Sequence, residues 1–151
     1  MREARLLKVY IAGPLHNEGE RWYLESIDSL CRDLGYETYL PHRDAGLCSP
    51  SGDGCEFFFQ RDWHALDEVD MLVAVLNGPE VDPGTAWEVG YAFARSCPIF
   101  GLYEDTRISD PKASINLMIY NSATILCNSK ELLREKLITF MNEHSEANAN
   151  A

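Results

Sequence analysis

The stretch MLVAVLNGPEVDPGTAWEVGYAFA, residues 71–94, decides the fold. Met71 to Leu76 is an unbroken apolar run with valines at alternate positions, which suits a strand buried on both faces of a parallel sheet. Asp82, Pro83, Gly84 and Thr85 then read as a turn opening a helix over 84–96, with Asp82 or Thr85 able to cap it. That helix is mostly apolar (Trp87, Val89, Tyr91, Ala92, Phe93) yet carries Glu88. A carboxylate in the first turn of a core helix, just past the carboxyl end of a strand, stands where open α/β sheets hold ligands. A solvated glutamate favoured by the helix dipole would look the same. This segment alone leaves both readings open.

Working outward, the same alternation of elements continues. Leu6 to Ala12 reads as a first strand, ended by Gly13-Pro14. Residues 19–34 place Trp22, Leu24, Ile27, Leu30, Cys31 and Leu34 at helical spacing, with Gly35 as the stop. Tyr36–Leu40 is a second strand, and the Gly-, Ser- and Pro-rich 42–55 a long loop. A helix over 56–69 precedes the strand 71–76. Beyond 96, the pattern predicts a strand at 98–103, a short helix at 115–120, a strand at 123–127 and a closing helix at 130–142. The final HSEANANA, 144–151, is small and polar and reads as a disordered tail. Five strands alternating with helices predict one α/β domain over 1–143. The expected architecture is a doubly wound five-stranded parallel sheet, a flavodoxin-like or Rossmann-like three-layer sandwich.

Composition narrows the function. With 151 residues, 46% hydrophobic content and 25% charged, the chain can build a core without staples. A net charge of −11 argues against nucleic acid or an anionic membrane as partner, but leaves small bases and nucleosides open. No apolar run reaches a membrane span, and the N-terminus is unlike a signal peptide. The five cysteines are scattered with no CxxC pair, so reduced thiols in a cytoplasmic protein are expected.

The strand exits are the places to look for chemistry. The first exits through Tyr10 to Gly13, where glycine permits close backbone approach but no GxGxxG follows, so a dinucleotide cofactor is not expected. The third exits to Asp82 and Glu88. The helix before it carries Asp62, His64, Asp67, Glu68 and Asp70; most of these acids read as a solvated face. Asp62 differs, lying close to the apolar side made by Trp63, Leu66 and Val69. Asn116 is polar among apolar neighbours, which a buried asparagine tying down backbone would explain. Two separated carboxylates and a tyrosine at a strand end are a kit for cutting a glycosidic bond. One attacks or steadies an oxocarbenium-like carbon, while the other handles the leaving group's proton. A nucleobase, which leaves best when protonated, suits that arrangement.

With these residues laid out, the chain resembles the nucleoside 2-deoxyribosyltransferase family over nearly its whole length. The blocks VYIAGP at 9–14, Asp62 through DMLVAVL and DPGTAWEVG to Gly90, and INLMIY at 115–120 occur in order. The resemblance implies that Glu88 is the nucleophile taking the 2-deoxyribosyl group at C1′ and that Tyr10 orients it. It implies that Asp62 and Asp82 engage the base, and that Gly13 and Gly84 line the substrate site. Asn116 and Met118 are implied to reach from a neighbouring subunit to the sugar's 5′ end, in a homodimer or larger homo-oligomer. No cofactor or metal belongs to that chemistry, and the substrates would be a 2′-deoxynucleoside and a free base. A sister branch, the 2′-deoxynucleoside 5′-phosphate N-hydrolases, shares the first motif, the aspartate and the glutamate. It tends to carry serine in place of Asp82, lacks an Asn-Leu-Met run, and has a more basic loop than GPLHNEGER at 13–21. Base exchange is therefore the expectation. Hydrolysis of 5′-monophosphates is the alternative, and a non-catalytic nucleotide-binding module a further one.

Overall fold

The sheet has five strands, all parallel, in the order β2-β1-β3-β4-β5. The computed structural model describes residues 5–151. In chain order the elements are β1 (Lys8–Ala12), α1 (Glu18–Asp33), β2 (Glu37–Tyr39), α2 (Pro41–Asp44), α3 (Cys55–Glu68) and β3 (Met71–Val75). They continue with α4 (Pro83–Ala94), β4 (Ile99–Leu102), α5 (Pro111–Ser114), α6 (Leu117–Ser122), β5 (Ile125–Cys127) and α7 (Lys130–Ala149). This is the doubly wound, flavodoxin-like architecture expected. The chain reverses direction across the sheet between β1 and β3, and such a switch point opens a crevice beyond the strands' carboxyl ends.

Strand alternation sorts the core into two halves. Val9, Ile11, Val73 and Val75 face α1 and α7, packing on Leu24, Ile27, Cys31, Leu133 and Leu137. Tyr10, Ala12, Leu72 and Ala74 face the other way, with Leu66 of α3 and Val89 and Ala92 of α4. α1 starts at a capping box: the Asn17 side chain accepts from Glu20 N, and the Glu20 carboxylate accepts from the Asn17 backbone.

Four details depart from the sequence expectations. α2 and α5 are short helices inside stretches assigned to no helix, each with proline in its first turn. α6 begins at Leu117, because Asn116 caps it instead of lying inside it. α7, with Ser129 as its N-cap, runs past the expected end of the closing helix to Ala149. Finally, Cys48 and Cys55 form a disulfide, so the thiols are not all reduced; Cys31, Cys97 and Cys127 are free. Gly46, Gly52 and Gly54 all take positive φ, and a turn bond from Gly52 N to Ser49 O folds the loop back on itself. The two Cα atoms then lie 5.4 Å apart, a separation that a search for CxxC does not test. Among the described residues no helix is long and apolar enough to cross a membrane.

Candidate active site

Tyr10 is the third residue of β1 and fully buried, pointing to the α3/α4 side of the sheet. Its hydroxyl donates to Glu88 Oε1 at 2.7 Å. Burial, and then the nearby Glu88 and Asp62 charges, push the Tyr10 phenol far up, so it is a permanent donor. Glu88 lies in the second turn of α4 and not the first, too far along for the helix dipole to explain it. Burial is the chief influence on its carboxyl, and the Asp62 and Asp82 charges add to it. Together they outweigh the Tyr10 hydrogen bond and lift Glu88 to about 8. A solvated surface glutamate has none of these features.

Asp62, on α3, completes the pair. A cavity of about 270 Å³ is lined by Tyr10, Asp62 and Glu88 together with Phe59, Trp63, Leu66, Gly84 and Trp87. Asp62 accepts from the Tyr39 hydroxyl at 2.9 Å. Burial raises its carboxyl above the usual range against the opposing pull of Tyr39 and Arg61. The aromatic wall is continuous: Phe59 stacks near Trp63 at 6.2 Å between centroids and meets Trp87 edge-on at 5.9 Å. Apolar and aromatic walls around two carboxylates and a phenol suit a flat base and the glycosidic carbon attached to it.

Asp82 is the N-cap of α4, accepting from Thr85 N and Thr85 Oγ1. It also bonds His16 Nε2 at 2.8 Å. Burial alone would raise Asp82, but His16 and the Thr85 donors hold it below its ordinary value, while the Asp82 bond raises His16. The loop after β1 and the start of α4 are thereby joined by a hydrogen bond.

The structure brings Tyr10, Asp62, Glu88 and Gly84 to one cavity, and leaves Asn116 and Met118 outside it. Those two line a second hollow, with Gly78, Pro79 and Ile108. Asn116 is exposed rather than buried; its side chain accepts from Met118 N, and Met118 is 70% exposed. Gly13 has a packing role. A Cβ there would come within 2.5 Å of Leu24 Cδ2 and 3.1 Å of Val75 Cβ, so the missing side chain lets α1 close on β3. Two of the acids read as solvated have partners: Asp67 accepts from Tyr91 Oη, and Asp70 from Lys8 N and Arg5. Sequence reasoning missed Tyr39, Phe59 and Trp87 as parts of the site. Their only signal is the aromatic spacing on α3 and α4 and the matching strand ends of β1 and β2. Among the described residues no group of three or more His, Cys, Asp or Glu side chains could hold a metal ion.

The chain is similar to known proteins over much of its length. The chain is 28% identical to a protein from Thermofilum pendens, over 82% of this chain and 86% of that protein. It is 32% identical to one from Syntrophotalea carbinolica, over 64% of this chain and 68% of that one. Both bear the name 2′-deoxynucleoside 5′-phosphate N-hydrolase 1. A solved 2-deoxyribosyltransferase from Bacillus psychrosaccharolyticus shares the fold, with a TM-score of 0.72 at 24% identity over 84% of this chain and 90% of that one. The sequence model described as nucleoside 2-deoxyribosyltransferase matches residues 9–118. The chain belongs to the nucleoside 2-deoxyribosyltransferase family.

Proposed function

We propose that this protein hydrolyses the bond between base and sugar in 2′-deoxynucleoside 5′-monophosphates, through a covalent intermediate on Glu88. The observation that carries the reading is the Tyr10–Glu88 hydrogen bond at 2.7 Å, in a cavity that Asp62 shares. The ionised Glu88 attacks C1′; the C1′–N bond breaks, and its electron pair leaves with the base. Asp62, on the same cavity wall, passes a proton to the departing nitrogen. Water then attacks C1′, giving its proton to Asp62; the C1′–O bond to Glu88 breaks, releasing 2-deoxyribose 5-phosphate and the Glu88 carboxylate. Tyr10 keeps its proton throughout and holds Glu88 in line.

Two things favour the phosphorylated substrate and hydrolysis. Both curated relatives carry that activity in their names. The acids that would repel a phosphate are also largely occupied: Asp82 is paired with His16, and Glu20 accepts from the backbone amides of His16 and Asn17. Base exchange between unphosphorylated deoxynucleosides is the second reading, favoured by Asp82 itself. That residue stands where the resemblance to the hydrolase branch implies serine, and Asn116, Leu117 and Met118 are exposed.

The test is incubation with deoxynucleosides and their 5′-monophosphates, with and without a second free base, followed by chromatography. The proposal expects free base and 2-deoxyribose 5-phosphate, with kcat/KM at least about tenfold higher for the monophosphate. Exchange of bases on the unphosphorylated substrate would select the second reading. Cleavage of neither would overturn both.

A further inference from the structure

We propose that Tyr39 is a positioning residue of this site, acting on the reaction through Asp62 without touching the substrate. The proposal rests on the preceding assignment of Asp62 to the leaving base. The parallel register of β1 and β2 pairs Tyr10 with Tyr39, and their rings stack 5.2 Å apart at 22°. Each hydroxyl of the stacked pair goes to a different carboxylate, Tyr10 to Glu88 and Tyr39 to Asp62. Two side chains from neighbouring strands therefore fix the two acids of the cavity against one another.

Tyr39 reaches Asp62 from behind. It does not line the Glu88 cavity; it borders a separate hollow at the sheet edge, beside Lys8, Arg61 and His64. It is the last residue of the three-residue edge strand β2, and its ring is braced by Tyr10. Its bond is to Asp62 Oδ1, which leaves Oδ2 as the oxygen able to carry the proton for the base. Burial raises the Tyr39 phenol, and the Asp62 bond adds to this, so the hydroxyl remains a donor.

The charged and titratable groups around Asp62 all bear on the consequence. Tyr39 and Arg61 favour its charged form, while burial opposes it. The Asp62 charge in turn raises Tyr10 and Glu88 across the cavity, and Asp44 acts on Tyr39. Removing the Tyr39 hydroxyl deletes a bond to the carboxylate, raises Asp62 further and frees its rotation. A residue that merely fills space would change none of these.

Tyr39→Phe tests this, since it keeps the ring and the stack and deletes one oxygen. The primary measurement is the Asp62 carboxyl titration followed by ¹³C NMR, which needs no turnover. Its midpoint should rise by about one pH unit in the variant. In kinetics, kcat/KM should fall about tenfold, most for the poorest leaving bases. In an Asp62→Asn background, Tyr39→Phe should cost nothing more. An unmoved Asp62 midpoint, or the same loss in both backgrounds, would overturn the proposal. If the wild-type protein cleaved no glycosidic bond, the proposed function would fall, and the NMR shift would still decide the link between Tyr39 and Asp62.

Discussion

The two faces of the sheet are built from the same strands and do opposite things. On the α1/α7 face, β1 and β3 present Val9, Ile11, Val73 and Val75, branched side chains that fill space against leucines and isoleucines. One residue along, the same strands present Tyr10, Ala12, Leu72 and Ala74 to α3 and α4. There, small alanines sit beside a buried phenol, and two carboxylates stand in an apolar shell. The first face gains stability by burying apolar side chains, and its buried Tyr36 hydroxyl and Asp28 carboxylate are both hydrogen-bonded. The second holds a glutamate that burial lifts to about 8, at a cost to folding and in a pattern that clusters at functional sites.

The largest expected contrast is between Glu88 and a residue of the filled face. Glu88→Ala should lower kcat/KM by about four orders of magnitude or more, with the fold intact, because a covalent nucleophile is gone. Ile27→Ala should instead cost about 2–5 kcal/mol of stability and leave the kinetics of the folded fraction unchanged. Denaturant titration and steady-state kinetics on both variants check the pair. A Glu88→Ala protein keeping a tenth of its activity would erase the distinction between the faces.

Tyr10→Phe should be next, lowering kcat/KM by roughly ten- to a hundredfold through loss of one hydrogen bond to a charged group. It should also raise Glu88 further, because the Tyr10 bond is what opposes burial there. The pH profile carries that shift. Under the proposed mechanism the ionised form of Glu88 attacks, so kcat/KM in the wild type should climb with pH toward about 8, and the rise should move to higher pH in Tyr10→Phe.

The third contrast is in stability alone. Glu88 is raised in the folded chain from its ordinary 4.5 to about 8, so the folded state binds its proton more tightly than the unfolded one. Stability is then full below pH 4.5 and is lost as pH rises through the folded value. Glu88→Gln should match the wild type at low pH and exceed it above pH 8, by on the order of a few kcal/mol. Thermal melts across that range read the difference. Equal pH dependence in both proteins would mean that Glu88 is not desolvated.

How far the sequence alone reached differs between these two faces. The strands and the order of layers were legible because runs such as Met71–Val75 and the spacing in Glu18–Asp33 repeat at the period of their elements. Tyr10, Asp62 and Glu88 stood out as polar groups among apolar neighbours, and the structure does join them. The Tyr39–Asp62 bond was not legible, since it depends on the register between β1 and β2, which no local pattern states. The Cys48–Cys55 bridge hid for a similar reason: its geometry comes from glycines with positive φ in the intervening loop. Gly13 was legible as a glycine that matters, but the crowding of Leu24 against it depends on how α1 docks.

Gly13→Ala gives the smallest expected effect. Its Cβ would meet Leu24 and Val75 on the filled face, so stability should drop by about 1–3 kcal/mol while KM stays near the wild-type value. A raised KM at unchanged stability would return Gly13 to the substrate site.

The central claim is that the Glu88 carboxylate forms a bond to C1′. Intact-protein mass spectrometry after rapid acid quench, using a 2′-deoxy-2′-fluoro substrate to slow release, reads that bond directly. The account expects the mass of one fluorinated sugar phosphate added to the chain, mapped by peptide digestion to Glu88 and absent in Glu88→Gln. Release of base with no adduct, or an adduct mapped to Asp62, would contradict it.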